Sequence, residues 1–426
     1  MDNWVSYVCL GVFLLGYVGI TLEHVIKKSK TAIALATGGL LWWITAVFGQ
    51  VDHLAEKIFH AGSEIFGVVA FLFAAMALVE ILNRYHFFDF IRAQIYKLGL
   101  GDKGQLMTIL VIAAVLSAVI DNLTTTIVMI QIASRFFKGK NLLIAGAGIV
   151  SAANIGGASS PIGDVTTLMI WLAGNASATT IISRGILPCL AMLGVTLVFM
   201  CRGIRGDTRD EKDEIVPKLT REEKIVIGLA FGSFGLPLGA TLFGLPPYIG
   251  LLTGLGVVWL VIQLLGHIDG APTHLDTSID DLLKSTDSSS RLFFIGILLA
   301  VAALQALGIL SWMSGLLYGD GTSTLRVVFG NVGLGMASAL VDNIPLTAGA
   351  LVMLTTTDQS LWVLLALTVG TGGSLLVIGS AAGVVAMGMI KELTFFTYVK
   401  IAFLPVLAAY ATGIGVWCFQ YFVLGW

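Results

Sequence analysis

"SAVIDNLTTT", residues 117–126, sets an aspartate in a stretch that otherwise reads as soluble in hydrocarbon. Asp121 is the only formal charge between Lys103 and Arg135. A charge at bilayer depth costs at least about 2.5–3.5 kcal/mol on insertion scales and marks a functional position by default. The uncharged run around it, Gly104 to Ser134, is 31 residues long. That is long for one helix across ~30 Å of hydrocarbon and short for two complete spans with a turn. A re-entrant helical hairpin over 104–134 fits, with Asp121 near its tip. A second 31-residue run, Val327 to Thr357, is uncharged apart from Asp342 and reads as a second hairpin over 327–357.

The rest of the chain supports a membrane setting. Of its 426 residues 57% are apolar and 12% charged, about half the ~25% charged content of a soluble domain. The net charge of −2 gives no basic surface for nucleic acid. Cys9, Cys189, Cys201 and Cys418 lie in or beside apolar segments with no C-x-x-C pair, so they read as small apolar side chains. Further apolar runs place spans at 4–22, 31–49, 64–82, 142–174, 184–202, 224–242, 247–266, 291–308, 360–390 and 400–423. The first reads as a span rather than a cleaved signal, because no basic residue precedes it. Residues 83–103 mix aromatic and basic side chains and read as an interfacial segment.

The basic residues test the hairpins. If 104–134 and 327–357 turn back while every other apolar segment crosses once, 21 of the 24 Lys and Arg fall on one side, all but Lys57, Arg184 and Arg326. By the positive-inside rule that side is cytoplasmic, and both termini face out.

The motifs also repeat. "SAVIDNLTTT" at 117 recurs as "SALVDNIPLT" at 338, "GGASSPIG" at 156 as "GGSLLVIG" at 372, and "LFAAMAL" at 72 as "LLAVAAL" at 298. The offsets, 221, 216 and 226, agree in order and nearly in size. The expected fold is an all-α polytopic membrane protein of two repeats. Residues 1–203 form the first, with hairpin 104–134 and broken helix 142–174. Residues 204–223 are a charged cytoplasmic linker, and 224–426 form the second repeat, with hairpin 327–357 and broken helix 360–390. Each repeat has five crossings, an odd number, so the second copy is inverted relative to the first. Inverted repeats with discontinuous helices are the architecture of secondary transporters, whose substrate site lies at the midplane.

The candidate site follows from the breaks. In "DNLTTT" and "DNIPLT" an Asp-Asn pair stops one helix and caps the next, leaving backbone carbonyls unpaired. In "NIGGASSPIGDVTT", 154–167, and "GTGGSLLVIGS", 370–380, glycines and Pro161 permit irregular backbone, tolerable at that depth only within protein or beside water. These segments offer carboxylates from Asp121, Asp164 and Asp342, amides from Asn122, Asn154 and Asn343, and hydroxyls from Thr124, Thr166, Thr167, Ser374 and Ser380. No Lys or Arg lies among them in the sequence. Oxygen ligands with excess negative charge suit a small hard cation and repel a carboxylate substrate. A carboxylate shut off from water requires a positive partner, and a proton or an alkali cation supplies it. Competition between the two for the same oxygens gives exchange when access alternates. Glu64, Glu80 and His60 read as interfacial or paired groups rather than as a gate.

These motifs resemble the NhaD-type sodium/proton antiporters of the ion transporter superfamily, which also contains arsenite exporters and dicarboxylate carriers. The resemblance rests on "SAVIDNLTTT", "NIGGASSPIGDVTT", "ALVDNIPLTAG" and "GTGGSLLVIGS" and extends over nearly the whole chain. It implies exchange of sodium or lithium for protons, no bound cofactor, a multi-pass protein of a prokaryotic inner membrane or a chloroplast envelope, and a homodimer. Dicarboxylate carriers of the superfamily carry Ser-Asn-Thr at the hairpin tips, where this chain has Asp121 and Asp342. A sodium-coupled dicarboxylate carrier or an arsenite exporter of the same superfamily is the alternative of the same class. An intramembrane aspartyl protease is the alternative among enzymes, and its Gly-x-Gly-Asp motif is absent because Pro161 precedes Ile162-Gly163-Asp164.

Overall fold

A computed structural model describes residues 4–21, 28–204, 219–266, 288–319 and 323–426. Among them every regular element is helical. Among the described residues six helices are long and apolar enough to cross a bilayer, from Lys30–Phe48 to Phe395–Phe422, and a seventh span is formed if a bent pair counts as one. The chain is a multi-pass helical membrane protein. Most of the linker expected at 204–223 lies outside the described residues.

The helices form two compact units. The first comprises Met1–Arg84, Lys224–Val327 and Ala348–Thr355, the second Tyr85–Glu223, Val328–Thr347 and Thr356–Trp426. Each draws on both halves of the sequence, so the compact units are not the two repeats.

In the first unit, Lys30–Phe48 packs along Ser288–Ala306. The two helices meet at glycines. A Cβ on Gly38 would stand 2.5 Å from the Gly296 carbonyl oxygen, and one on Gly296 would stand 2.5 Å from the Leu35 nitrogen. Small residues allow this backbone approach where no hydrophobic force drives helices together. The third helix, Leu54–Arg84, begins ten residues before the expected 64–82. At ~1.5 Å per residue it outruns the ~30 Å hydrocarbon layer, and its first turns are polar. His60 pairs with Glu64 at 3.6 Å, both side chains being mostly exposed. The span expected over 224–242 lies within Arg221–Leu242, one of the six spans, whose helix is interrupted between Ser233 and Leu236, next to Pro237. After Ala306 the chain bends by 83° into Ile309–Leu317, a turn made at Gly308 with φ +71°.

The second unit holds the motifs. Helix Phe87–Lys97 forms within the expected interfacial segment and buries Phe88, Ala93 and Ile95. Asp102–Ser117 and Asn122–Phe136 pack against each other on either side of a break at 118–121, within the expected run 104–134 and its flanks. Gly139–Gly157 and Val165–Leu172 flank a second break, where the first discontinuous helix is expected. In the second half, the breaks fall between Thr324–Ala337 and Asn343–Met353, and between Gln359–Gly372 and Ala381–Met389.

The same contacts recur in both halves. The Ser117 hydroxyl donates to the Ala153 carbonyl at 2.7 Å, and Ser338 donates to Val369 at 2.8 Å. A Cβ on Gly156 would run into the Ala114 carbonyl, and one on Gly372 into the Gly335 carbonyl. Gly163 stands against the Ser117 carbonyl and Gly379 against that of Ser338. Any side chain at these glycines would push their segments off residues 114–117 and 335–338.

Candidate functional site

All eleven candidate residues lie in the second unit. Local chemistry sets their orientation. Asp121 caps Asn122–Phe136 by accepting from the Thr124 N–H at 2.9 Å and the Thr124 hydroxyl at 2.7 Å. Asp164 caps Val165–Leu172 by accepting from Thr166, and Ser380 caps Ala381–Met389 by accepting from the Gly383 N–H at 3.2 Å. Short polar side chains are favoured at these positions because they satisfy N–H groups the helix leaves unpaired.

Two clusters result. In the first, the Asn122 amide donates to the Asn154 carbonyl oxygen at 2.9 Å. The Asn154 amide then donates to the hydroxyls of Ser374 at 2.7 Å and Ser380 at 3.1 Å. Asn154 is wholly buried, and it joins residues more than 200 positions apart in sequence.

The second cluster surrounds Asp164, which is 2% exposed. Its carboxylate accepts from the Thr166 hydroxyl at 2.9 Å and from the Asn343 amide at 3.3 Å to each oxygen. Asp342, the residue before Asn343, accepts from the Ile344 N–H at 3.4 Å. None of the hydrogen-bond partners named here is basic.

Some candidates are turned elsewhere. The Thr167 hydroxyl donates to the Asp164 backbone carbonyl at 2.8 Å, inside its own turn. Asp121 and Thr124 bond each other in a half-buried position. Among the described residues no three His, Cys, Asp or Glu side chains converge, so Asp121, Asp164 and Asp342 do not form a three-carboxylate cluster in this structure.

Ser117, Ser338 and Thr125 escaped the sequence reading. The two serines tie their segments to Gly139–Gly157 and Gln359–Gly372, and their signal was present: both open the repeated motif with Ser-Ala. The Thr125 hydroxyl is buried without a hydrogen-bond partner, which no pattern announced.

A multi-pass helical chain whose buried polar groups gather at helix breaks is a membrane transporter in its architecture. The profile of the citrate transporter family (CitMHS) matches residues 17–370. Sodium/proton antiporter 1 of Arabidopsis thaliana is 34% identical over 95% of this chain and 71% of its own length. Sodium/proton antiporter 2 of the same plant is 35% identical over 91% and 93%. The Na(+)/H(+) antiporter NhaD of Vibrio parahaemolyticus is 30% identical over 90% and 97%. The chain therefore belongs to the NhaD-type sodium/proton antiporter family, and it also matches the citrate transporter profile.

Proposed function

We propose that this protein is a secondary active transporter that exchanges sodium or lithium for protons across a cell's plasma membrane. The observation that carries the reading is Asp164, buried and held by Thr166 and by Asn343, the residue that follows Asp342 in the chain. A carboxylate in low dielectric demands positive charge. Protons meet that demand when the cation is absent, and an alkali cation displaces them when it binds. Oxygen atoms from Asp164, Asp342, Asn343 and Thr166 ligate the cation; Asn122, Asn154, Ser374 and Ser380 extend the polar set, with Asp121, Thr124 and Thr167 holding the helix starts that frame it. Transport requires no cofactor and no covalent chemistry, which sets the protein apart from an enzyme.

The two halves act as inverted repeats in this account, with one hairpin entering from each side of the bilayer. The recurring serine and glycine contacts support it. Alternating access then moves the same oxygens between the two faces. A homodimer belongs to the same proposal.

The citrate transporter profile raises the anion carrier. Such a carrier requires basic residues or open helix N-termini for its substrate. Here the N-termini at Asn122 and Val165 are already occupied by the carboxylates of Asp121 and Asp164, which favours a cation. Purified protein in liposomes tests the choice. An imposed sodium gradient is expected to move lumenal pH with no organic anion or arsenite present. Silence under those conditions, with a response once a dicarboxylate is added, refutes cation exchange.

A further inference from the structure

The Ser374 carbonyl lies at the break of the second discontinuous helix, and it accepts from the Tyr398 hydroxyl at 2.7 Å. Tyr398 stands in the first turn of Phe395–Phe422 and is wholly buried. A buried phenol has one proton to donate and finds a partner for it, so this bond fixes the carbonyl where the backbone is irregular. The repeat offers a comparison. "GGASSPIG" aligns with "GGSLLVIG", so Ser374 corresponds to Ala158. At Ala158 the last helix of the first half brings up a glycine instead: a Cβ on Gly185 would stand 3.5 Å from the Ala158 carbonyl oxygen. Among the described residues, that carbonyl is held by a side chain in the second half alone.

The pinned residue is also the one whose hydroxyl has a free acceptor. A hydroxyl oxygen carries two lone pairs. Ser380 Oγ uses both, accepting from the Asn154 amide at 3.1 Å and from the Gly383 N–H at 3.2 Å. Ser374 Oγ accepts from the Asn154 amide at 2.7 Å, and no other described residue donates to it. Asn154 is itself held, since its carbonyl oxygen accepts from Asn122 at 2.9 Å. Asn154 therefore fixes the Ser374 side chain and Tyr398 fixes the backbone that bears it, which leaves the remaining lone pair one direction. Asp164 lies against the same helix end. A Cβ on Gly370, four residues before Ser374, would stand 2.8 Å from Asp164 Oδ2.

Resting on the exchange reading above, we propose that Tyr398 is a positioning residue for the transported cation. Its hydroxyl sets the Ser374 backbone, and Ser374 Oγ ligates the cation through its remaining lone pair. Tyr398 itself does not touch the ion. A break ordered in advance leaves less ordering for the cation to impose, so the effect falls on affinity rather than on rate.

The sodium dependence of exchange by the purified full chain in liposomes tests this. Tyr398→Phe keeps the ring and removes the donor. It is expected to raise the sodium concentration for half-maximal exchange about fivefold, with the rate at saturating sodium within about twofold of the unsubstituted protein. Ser374→Ala is expected to raise that concentration at least as much. The double substitution is expected to match Ser374→Ala alone, because a residue that acts only through the Ser374 hydroxyl has no further effect once that hydroxyl is gone. Tyr421→Phe removes another phenol of the same helix, one that donates to Asp358 at 2.7 Å, and is expected to leave the sodium dependence unchanged. Unchanged half-saturating sodium in either single variant overturns the proposal. So does a double substitution whose effect is the product of the two single ones, which marks Tyr398 as an independent brace. If Tyr398→Phe does not fold, para-aminophenylalanine in place of Tyr398 carries the test. Its N–H is a weaker donor than the phenol, so half-saturating sodium is expected to rise by about twofold or more, and no rise overturns the proposal. Absence of sodium-driven proton movement in the unsubstituted protein is a different result, which refutes exchange itself and this proposal with it.

Discussion

Asp164→Asn is nearly isosteric and removes one charge. The carboxylate offers acceptor oxygens on both sides, to the Thr166 hydroxyl at 2.9 Å and to the Asn343 amide at 3.3 Å. An amide offers one oxygen and one NH2 group, so on one side the Asn343 NH2 meets another donor. A hydrogen bond to a charged group is worth about 1.5–3 kcal/mol, a loss small enough that the fold is expected to persist. The effect on the cation is larger. A unit charge ~4 Å from a carboxylate gains about 4 kcal/mol at an effective dielectric of ~20, and each 1.4 kcal/mol is about tenfold in affinity. Cation binding is therefore expected to weaken by roughly a thousandfold. Sodium-driven pH change in liposomes, read with an entrapped pH-sensitive dye, is expected to fall below about 1% of the unsubstituted rate at low millimolar sodium. Size-exclusion profile and melting temperature report the fold in the same preparation. A folded Asp164→Asn protein that keeps more than about a tenth of normal exchange refutes the reasoning.

Asp342→Asn, which removes the carboxylate that precedes Asn343 in the chain, is expected to lower exchange at least about tenfold, measured in the same liposomes. Gly156→Ala drives a methyl group into the Ala114 carbonyl and is expected to abolish the yield of monodisperse protein; normal yield would mean the contact is loose. Single cysteines at Ala118 and Ala339 are expected to label from opposite faces of the membrane in locked states, and identical sidedness contradicts the inverted hairpins.

What could be read from the sequence follows from how local each determinant is. Asp121, Asp164 and Ser380 announce helix starts because an N-cap is chemistry within three residues. The breaks were legible for the same reason, since glycines, Pro161 and Pro345 act on the backbone where they stand. Asn154 could be singled out as polar at depth, but not as the hub of a network, because its serine partners come from the other half of the chain. Gly370 carried no visible signal. Its closeness to Asp164 exists only in the folded chain. The start of Leu54–Arg84 was missed because hydropathy marks the membrane layer rather than the helix, and Glu56, Lys57 and His60 lie in the turns that extend that helix beyond the apolar run.

The central claim is that protons and an alkali cation compete for the same buried oxygens. Sodium added to purified, weakly buffered protein in detergent tests it through the protons released, followed with a pH indicator. The account predicts release that saturates with sodium binding, requires more sodium as pH falls because protons then compete more strongly, and vanishes in Asp164→Asn. Saturable sodium binding with no proton release, or with an affinity that does not change with pH, contradicts it.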